Sequence, residues 1–122
     1  KILCTGYVGS PPGMPHCDDA GHLMHSVIDE NGKESRHCIR TTHAEQNAIC
    51  QAAKFGTSLE GATLYCKMTP CFVCAKLIVS SGIKQVICEK RYHADKLNRE
   101  LFKKGKIKLT VLENKLEKYK DQ

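Results

Sequence analysis

Four residues have the types and the spacing to do hydrolytic chemistry: His43, Glu45, Cys71 and Cys74. An imidazole and two thiols form a nitrogen–sulfur donor set that suits zinc. Three protein ligands leave the fourth position of a tetrahedral zinc open for water, which makes a site catalytic rather than structural. Glu45 stands two residues from His43 on the same helical stretch, where a carboxylate reaches such a water without ligating the metal. Cys71 and Cys74 are spaced C-x-x-C directly after Pro70, 28 positions (71 minus 43) beyond the histidine. A lone C-x-x-C is shared by redox motifs and zinc knuckles. With the proline before it and H-x-E upstream, it becomes specific.

Two helix starts must position these groups. Residues 43–55 read as a helix, with Ala44, Ala48, Ala52 and Ile49, Ala53 recurring at i, i+4 on a face of small side chains. Thr42 is the expected N-cap, and Glu45 falls where it would close a capping box, a purely structural job for the same carboxylate. Gly56 ends the helix. Residues 62–67 form a short strand that Thr69-Pro70 breaks. Cys71 and Cys74 then share one side of the next helix's first turn, whose N-terminus favours thiolates. That helix runs through Ala75, Leu77, Ile78 and Val79 to Ser81-Gly82. A strand at 84–89, a helix at 94–104 closed by Gly105 and an alternating strand at 107–112 follow. The charged tail from Glu113 is either helical or disordered.

Upstream, residues 2–8 are β-rich and predict a strand, stopped by the breaker run Gly9 to Gly13. From Ser10 to about Arg40 the chain reads as one loop rich in Pro, Gly, Asp and His. A loop of about thirty residues inside a compact domain is usually functional or metal-pinned. This one carries His16, Cys17, His22, His25, His37 and Cys38. A second, structural zinc would keep it ordered, with Cys17, His22 and Cys38 as its expected ligands. The alternative is a set of surface histidines and buried cysteines.

The 122 residues fit a single domain spanning 1–122, large enough to bury a core without disulfide staples. Eight cysteines could form a secreted disulfide framework, but six histidines accompany them and the periodic elements supply a core. Reduced, metal-binding cysteines in a cytoplasmic protein are the expectation. No apolar run reaches the length of a membrane span, so no membrane partner is expected. The net charge of +6 suits an anionic partner, though much of the excess lies in the last thirty residues, among them Lys103, Lys104, Lys106, Lys108, Lys115, Lys118 and Lys120, as a solvated face. Seven aromatic residues are few for a channel that stacks single-stranded bases, which disfavours nucleic acid.

H-x-E followed by P-C-x-x-C is the signature of zinc-dependent nucleobase deaminases. The chain resembles the cytidine deaminase superfamily, and within it the deoxycytidylate (dCMP) deaminases and ComE operon protein 2-like proteins. The resemblance runs from about Leu3 to Val111. It includes Thr5-Gly6-Tyr7, Gly9-Ser10-Pro11, Pro15-His16-Cys17, Arg40 to Glu45 with Asn47-Ala48-Ile49, Glu60 to Thr63, Pro70 to Lys76 and Ser81 to Lys84.

The resemblance implies an α/β fold: a cytidine-deaminase-like three-layer α/β/α sandwich with a mixed sheet. Family members begin with a helix and a strand before the point matching Lys1, so this chain is expected to lack that unit. The implied activity is zinc-dependent hydrolytic deamination of a deoxycytidine nucleotide, dCMP to dUMP and ammonia, by a homo-oligomer. Glu45 would take a proton from water, deliver it to ring N3 and help protonate the departing ammonia. A family tyrosine that stacks near the base matches Tyr92. Arg40, Lys54 and Arg91 are candidate phosphate contacts. Val8 stands where the family usually carries an asparagine that holds the sugar, and valine cannot hydrogen-bond, which leaves the exact substrate open. The rival readings are a tRNA-type nucleic-acid base deaminase and a non-catalytic zinc-binding scaffold.

Overall fold

The computed structural model describes residues 1–28, 30–92 and 94–113, and the backbone of 116–117. Its elements run α1 (Cys17–Ala20), β1 (Met24–Ile28), β2 (Glu34–Cys38), α2 (Ala44–Lys54), β3 (Thr63–Met68), α3 (Phe72–Ser81), β4 (Gln85–Tyr92), α4 (Lys96–Lys104), β5 (Lys108–Val111) and β6 (Leu116–Glu117). The α/β reading holds, and the helices and strands expected from His43 onward form within a few residues of their expected bounds. Most of the charged tail lies outside the described residues.

Strands β3, β4 and β5 pair in that order, all parallel, with Leu64 opposite Val86 and Val86 opposite Leu109. Each crossover uses a helix, α3 between β3 and β4 and α4 between β4 and β5, as parallel pairing demands. Leu64, Cys66, Val86 and Cys88 turn to one face by the two-residue period, while Thr63, Tyr65 and Lys67 turn to the other, exposed face. The helices close over the first face. Ala75 and Ile78 of α3, Val86 of β4, Phe102 of α4, Ile83 and Ile107 form the core cluster, each at most 6% exposed. Phe102 is nearly sealed, and α4 reaches it because Asn98 and Phe102, four apart, share the helix's inner face.

Helix α2 lies against α3, and its buried residues are the small Ala48 and Ala52. Its N-terminal cap differs from the expectation. His43, not Thr42, is the N-cap, and its backbone N–H donates to Gln46 Oε1 at 2.9 Å. Gln46 therefore closes the box, and the Glu45 side chain is released from capping. Helix α3 starts at Cys71 and ends at Gly82, which adopts φ +86, a left-handed cap that only glycine takes without penalty.

The first forty residues correct two expectations. Residues 2–8 form no strand; Gly9 makes only an isolated bridge with Thr42, through Thr42 N–H to Gly9 C=O at 2.8 Å. The segment is seated on α2 instead: a Cβ at Gly6 would collide with the backbone of Ala44 and Ala48. Asn47 Nδ2 also donates to Tyr7 C=O at 3.0 Å. β-propensity loses here to packing against a helix. The stretch from Ser10 to Arg40 is not one loop either, because β1 and β2 pair antiparallel as a hairpin, Met24 opposite Cys38. Its polar, histidine-rich strands lack the apolar alternation by which hairpins are recognised, and most of their side chains remain exposed.

Candidate metal centre

Two helix starts converge on the first site. His43 is fixed by the start of α2, and Cys71 and Cys74 by the first turn of α3, so the packing of α2 on α3 brings the ligands together. His43 Nδ1 lies 3.4 Å from Cys71 Sγ and 3.4 Å from Cys74 Sγ. Zinc–sulfur and zinc–nitrogen bonds of about 2.3 and 2.05 Å make the N–S edge of a tetrahedron roughly 3.6 Å, so the donors already stand near ligating separation. Burial grades inward from exposed His43 through half-buried Cys71 to fully buried Cys74, which leaves the histidine side open to a reactant. The donor set and its spacing fit zinc.

The charges suit a cation. Cys71 is pulled down to about 4, chiefly by a hydrogen bond from Cys74 and then by His43, with burial opposing. Cys74 is pushed far up by the same pairing with Cys71, by burial and by the Glu45 carboxylate. Hydrogen bonding to Cys71 raises His43 against the pull of burial. One thiolate thus stands beside two proton-bearing donors, and a divalent ion would replace those protons. Glu45 is half-buried and close enough to Cys74 to hydrogen-bond its thiol.

The second cluster also assembles. Ligand atoms of Cys17, His22 and Cys38 lie within 4.8 Å of one another, as do those of the first site. Cys17 Sγ and Cys38 Sγ are 3.7 Å apart, against roughly 3.8 Å for the S–S edge of a zinc tetrahedron. Burial raises Cys38, but hydrogen bonds from the Arg40 and Leu23 backbone, His22 and Cys17 outweigh it and bring the thiol to about 6. All eight cysteines are free.

The expected substrate contacts are scattered. Tyr92 ends β4 and its N–H donates to Thr69 Oγ1 at 2.7 Å, two residues from Cys71. Arg40 lies just upstream of His43 but spends its Nε on Gly21 C=O at 2.8 Å. Arg91 pairs with Asp95 at 3.4 Å. Lys54 sits at the far end of α2 from His43, about 16 Å along the axis, over the Phe55 ring. Val8 is exposed and adjoins the Gly9–Thr42 bridge that leads into His43.

Sequence reasoning missed Gln46, Thr69, Asp95 and Asn98. Gln46 carried a signal, a glutamine three residues into a helix capped one position later than expected. Thr69 reads in sequence only as part of a strand breaker, Asp95 and Asn98 only as polar positions of a helix, and only the fold brings the three together.

The sequence profile of the cytidine and deoxycytidylate deaminase zinc-binding region matches residues 1–90. ComE operon protein 2 of Bacillus subtilis is 39% identical over 93% of this chain and 55% of its own length. Deoxycytidylate deaminase of Homo sapiens is 38% identical over 76% of this chain and 49% of its own. The chain thus spans about half the length of these relatives. Among solved structures, dCMP deaminase of cyanophage S-TIM5, in complex with dCMP and dUMP, superimposes with a TM-score of 0.66 at 25% identity, covering 91% of this chain and 73% of that one. With the profile matching most of its length and a candidate zinc donor set assembled at two helix starts, this chain belongs to the cytidine and deoxycytidylate deaminase family.

Proposed function

We propose that this chain deaminates a deoxycytidine nucleotide by hydrolysis, converting dCMP and water to dUMP and ammonia. The observation that carries the reading is the convergence of His43, Cys71 and Cys74, with Glu45 released from capping and set beside them. The dCMP and dUMP bound by the cyanophage relative support the choice of nucleotide. His43, Cys71 and Cys74 are the proposed ligands of zinc, which supplies a Lewis acid able to bring the pKa of a water near neutrality. Glu45 would take one proton from the attacking water and pass it to ring N3, then take the second from the new C4 hydroxyl and deliver it to the departing amine. The C4–N bond breaks and a C4–O bond replaces it. Tyr92 is the proposed stacking residue, and Arg40 and Arg91 the proposed phosphate contacts.

Cys17, His22 and Cys38 are proposed to hold a second, structural zinc. An isolated two-stranded hairpin is marginal in water, and β1–β2 buries almost no apolar surface of its own. A metal joining α1, the following turn and the end of β2 supplies the missing staple five residues before His43. Residues 1–122 are read as one domain, supported by the core that residues from Ile49 to Leu109 share and by the packing of Gly6 on α2. A homo-oligomer is supported by Phe72, Val73 and Leu77, apolar and 38–52% exposed on α3. The free cysteines support a reducing, cytoplasmic setting. No described helix is long and apolar enough to cross a membrane.

The test is ammonia release from dCMP, dCTP, deoxycytidine and CMP, with zinc counted per chain. Turnover of dCMP with two zincs, one of them lost in Cys38→Ser, is expected. Zinc without turnover of any of the four would overturn the catalytic reading and favour a scaffold. A single zinc unaffected by Cys38→Ser would remove the second site.

A further inference from the structure

Three polar side chains among the described residues are buried: Thr69 at 3%, Asp95 at 2% and Asn98 at 2% exposure. All three gather around Thr69-Pro70, the two residues that lead into Cys71. Buried polar groups cost free energy unless they are hydrogen-bonded, and each of these has a partner. Asn98 Nδ2 donates to Pro70 C=O at 2.8 Å, which holds the peptide plane joining Pro70 to Cys71. Thr69 Oγ1 donates to Asp95 Oδ2 at 3.0 Å and accepts from Tyr92 N–H at 2.7 Å. The order has one sense only, because an amide must donate and a carboxylate must accept.

Asp95 has surrendered a local task to do this. It is the N-cap of α4, where aspartate ordinarily accepts from the helix's first amides, yet its side chain makes no cap hydrogen bond. Its carboxylate instead faces Thr69, Arg99 at 3.0 Å and Arg91 at 3.4 Å. Burial opposes the charge, but the bonds from Arg91, Thr69 and Arg99 outweigh it and hold the carboxyl below its ordinary range. The start of α4 is thereby locked to the residues that set the direction of the Cys71 side chain and the end of β4.

We propose that Thr69, Asp95 and Asn98 are positioning residues that aim the Cys71 thiolate at the metal and hold Tyr92 beside it. They act through the peptide planes on either side of Pro70 and touch neither metal nor nucleotide. The inference rests on the ligand reading of His43, Cys71 and Cys74 given above.

The test follows the zinc that His43→Ala removes, in the full chain. Its dissociation constant is read by chelator competition, the thiolate-to-metal absorption is recorded after Co2+ exchange, and Tm is measured alongside. Thr69→Val and Asn98→Leu keep volume but delete the bonds; they are expected to weaken that zinc by roughly 10–100-fold and shift the cobalt band. Thr69→Ser, which keeps the hydroxyl, is expected to restore both. Phe102→Leu, a core change on the same helix, should lower Tm and leave both metal readouts in place.

Thr69→Val and Asn98→Leu that lower Tm alone would overturn the inference. So would Phe102→Leu weakening zinc as much as they do. If Thr69→Val does not fold, Asn98→Leu decides by the same readouts. A wild-type chain holding no zinc that His43→Ala removes overturns the ligand reading and this inference with it. Wild-type zinc with unmoved variants overturns this inference only.

Discussion

Glu45→Gln separates proton transfer from everything else this residue does. The side chain keeps its size, and the cap on α2 belongs to Gln46, so stability should change by no more than about 0.5 kcal/mol. Zinc should stay. The Glu45 charge raises both Cys74 and His43, so its removal makes those donors easier to deprotonate, which offsets the loss of a negative charge near the cation. What is lost is a group that both accepts and returns a proton. General acid–base catalysis by one positioned group is worth about 10²–10⁴ in rate, or roughly 2.7–5.5 kcal/mol at the barrier. Ammonia release at saturating dCMP should therefore fall at least a hundredfold with an unchanged zinc count. A fall of less than tenfold would refute the assigned role, and loss of zinc would make Glu45 a ligand instead.

Other perturbations test the surroundings. Gly6→Ala drives a methyl into the backbone of Ala44 and Ala48; it should cost about 1–3 kcal/mol, displace residues 5–9 from α2 and raise KM for dCMP while zinc remains bound. A KM equal to wild type would show that this segment does not border the nucleotide. Phe102→Ala, at a site 1% exposed, should cost about 3–5 kcal/mol in urea unfolding, and less than 1 kcal/mol would contradict the core assignment. Asp95 has a folded-state pKa below its ordinary 3.8, so the stability it contributes is fully present above that value and lost as pH falls through the folded one. The stability gap between wild type and Asp95→Asn should shrink below about pH 4. A gap equal at pH 3 and pH 7 would refute the ion network.

The chemistry was legible before the fold because metal ligation is specified by residue type and local spacing. His43, Glu45 and P-C-x-x-C each sit within one helical turn, and short-range geometry alone puts them at helix starts. The core helices and strands were legible for the same reason, since their apolar periods are sustained. Residues 2–8 form no strand, because β-propensity describes a half-buried pleated surface, whereas Gly6 meets a helix backbone. The hairpin was unreadable because exposed, polar strands leave no alternation to find.

The sequence by itself determined the donor set, its order along the chain and the helices that present it. Only tertiary packing decided that α2 and α3 meet at their N-termini, which sets His43 3.4 Å from both thiols across 28 and 31 residues. It likewise decided that Cys17 and Cys38 face each other, that Lys54 lies far from the site, and that Asp95 abandons its own helix for Thr69. A hydrogen bond between residues 26 apart has no local signature. It exists because the core around Phe102 draws α4 against α3 and leaves buried polar groups nowhere else to find partners.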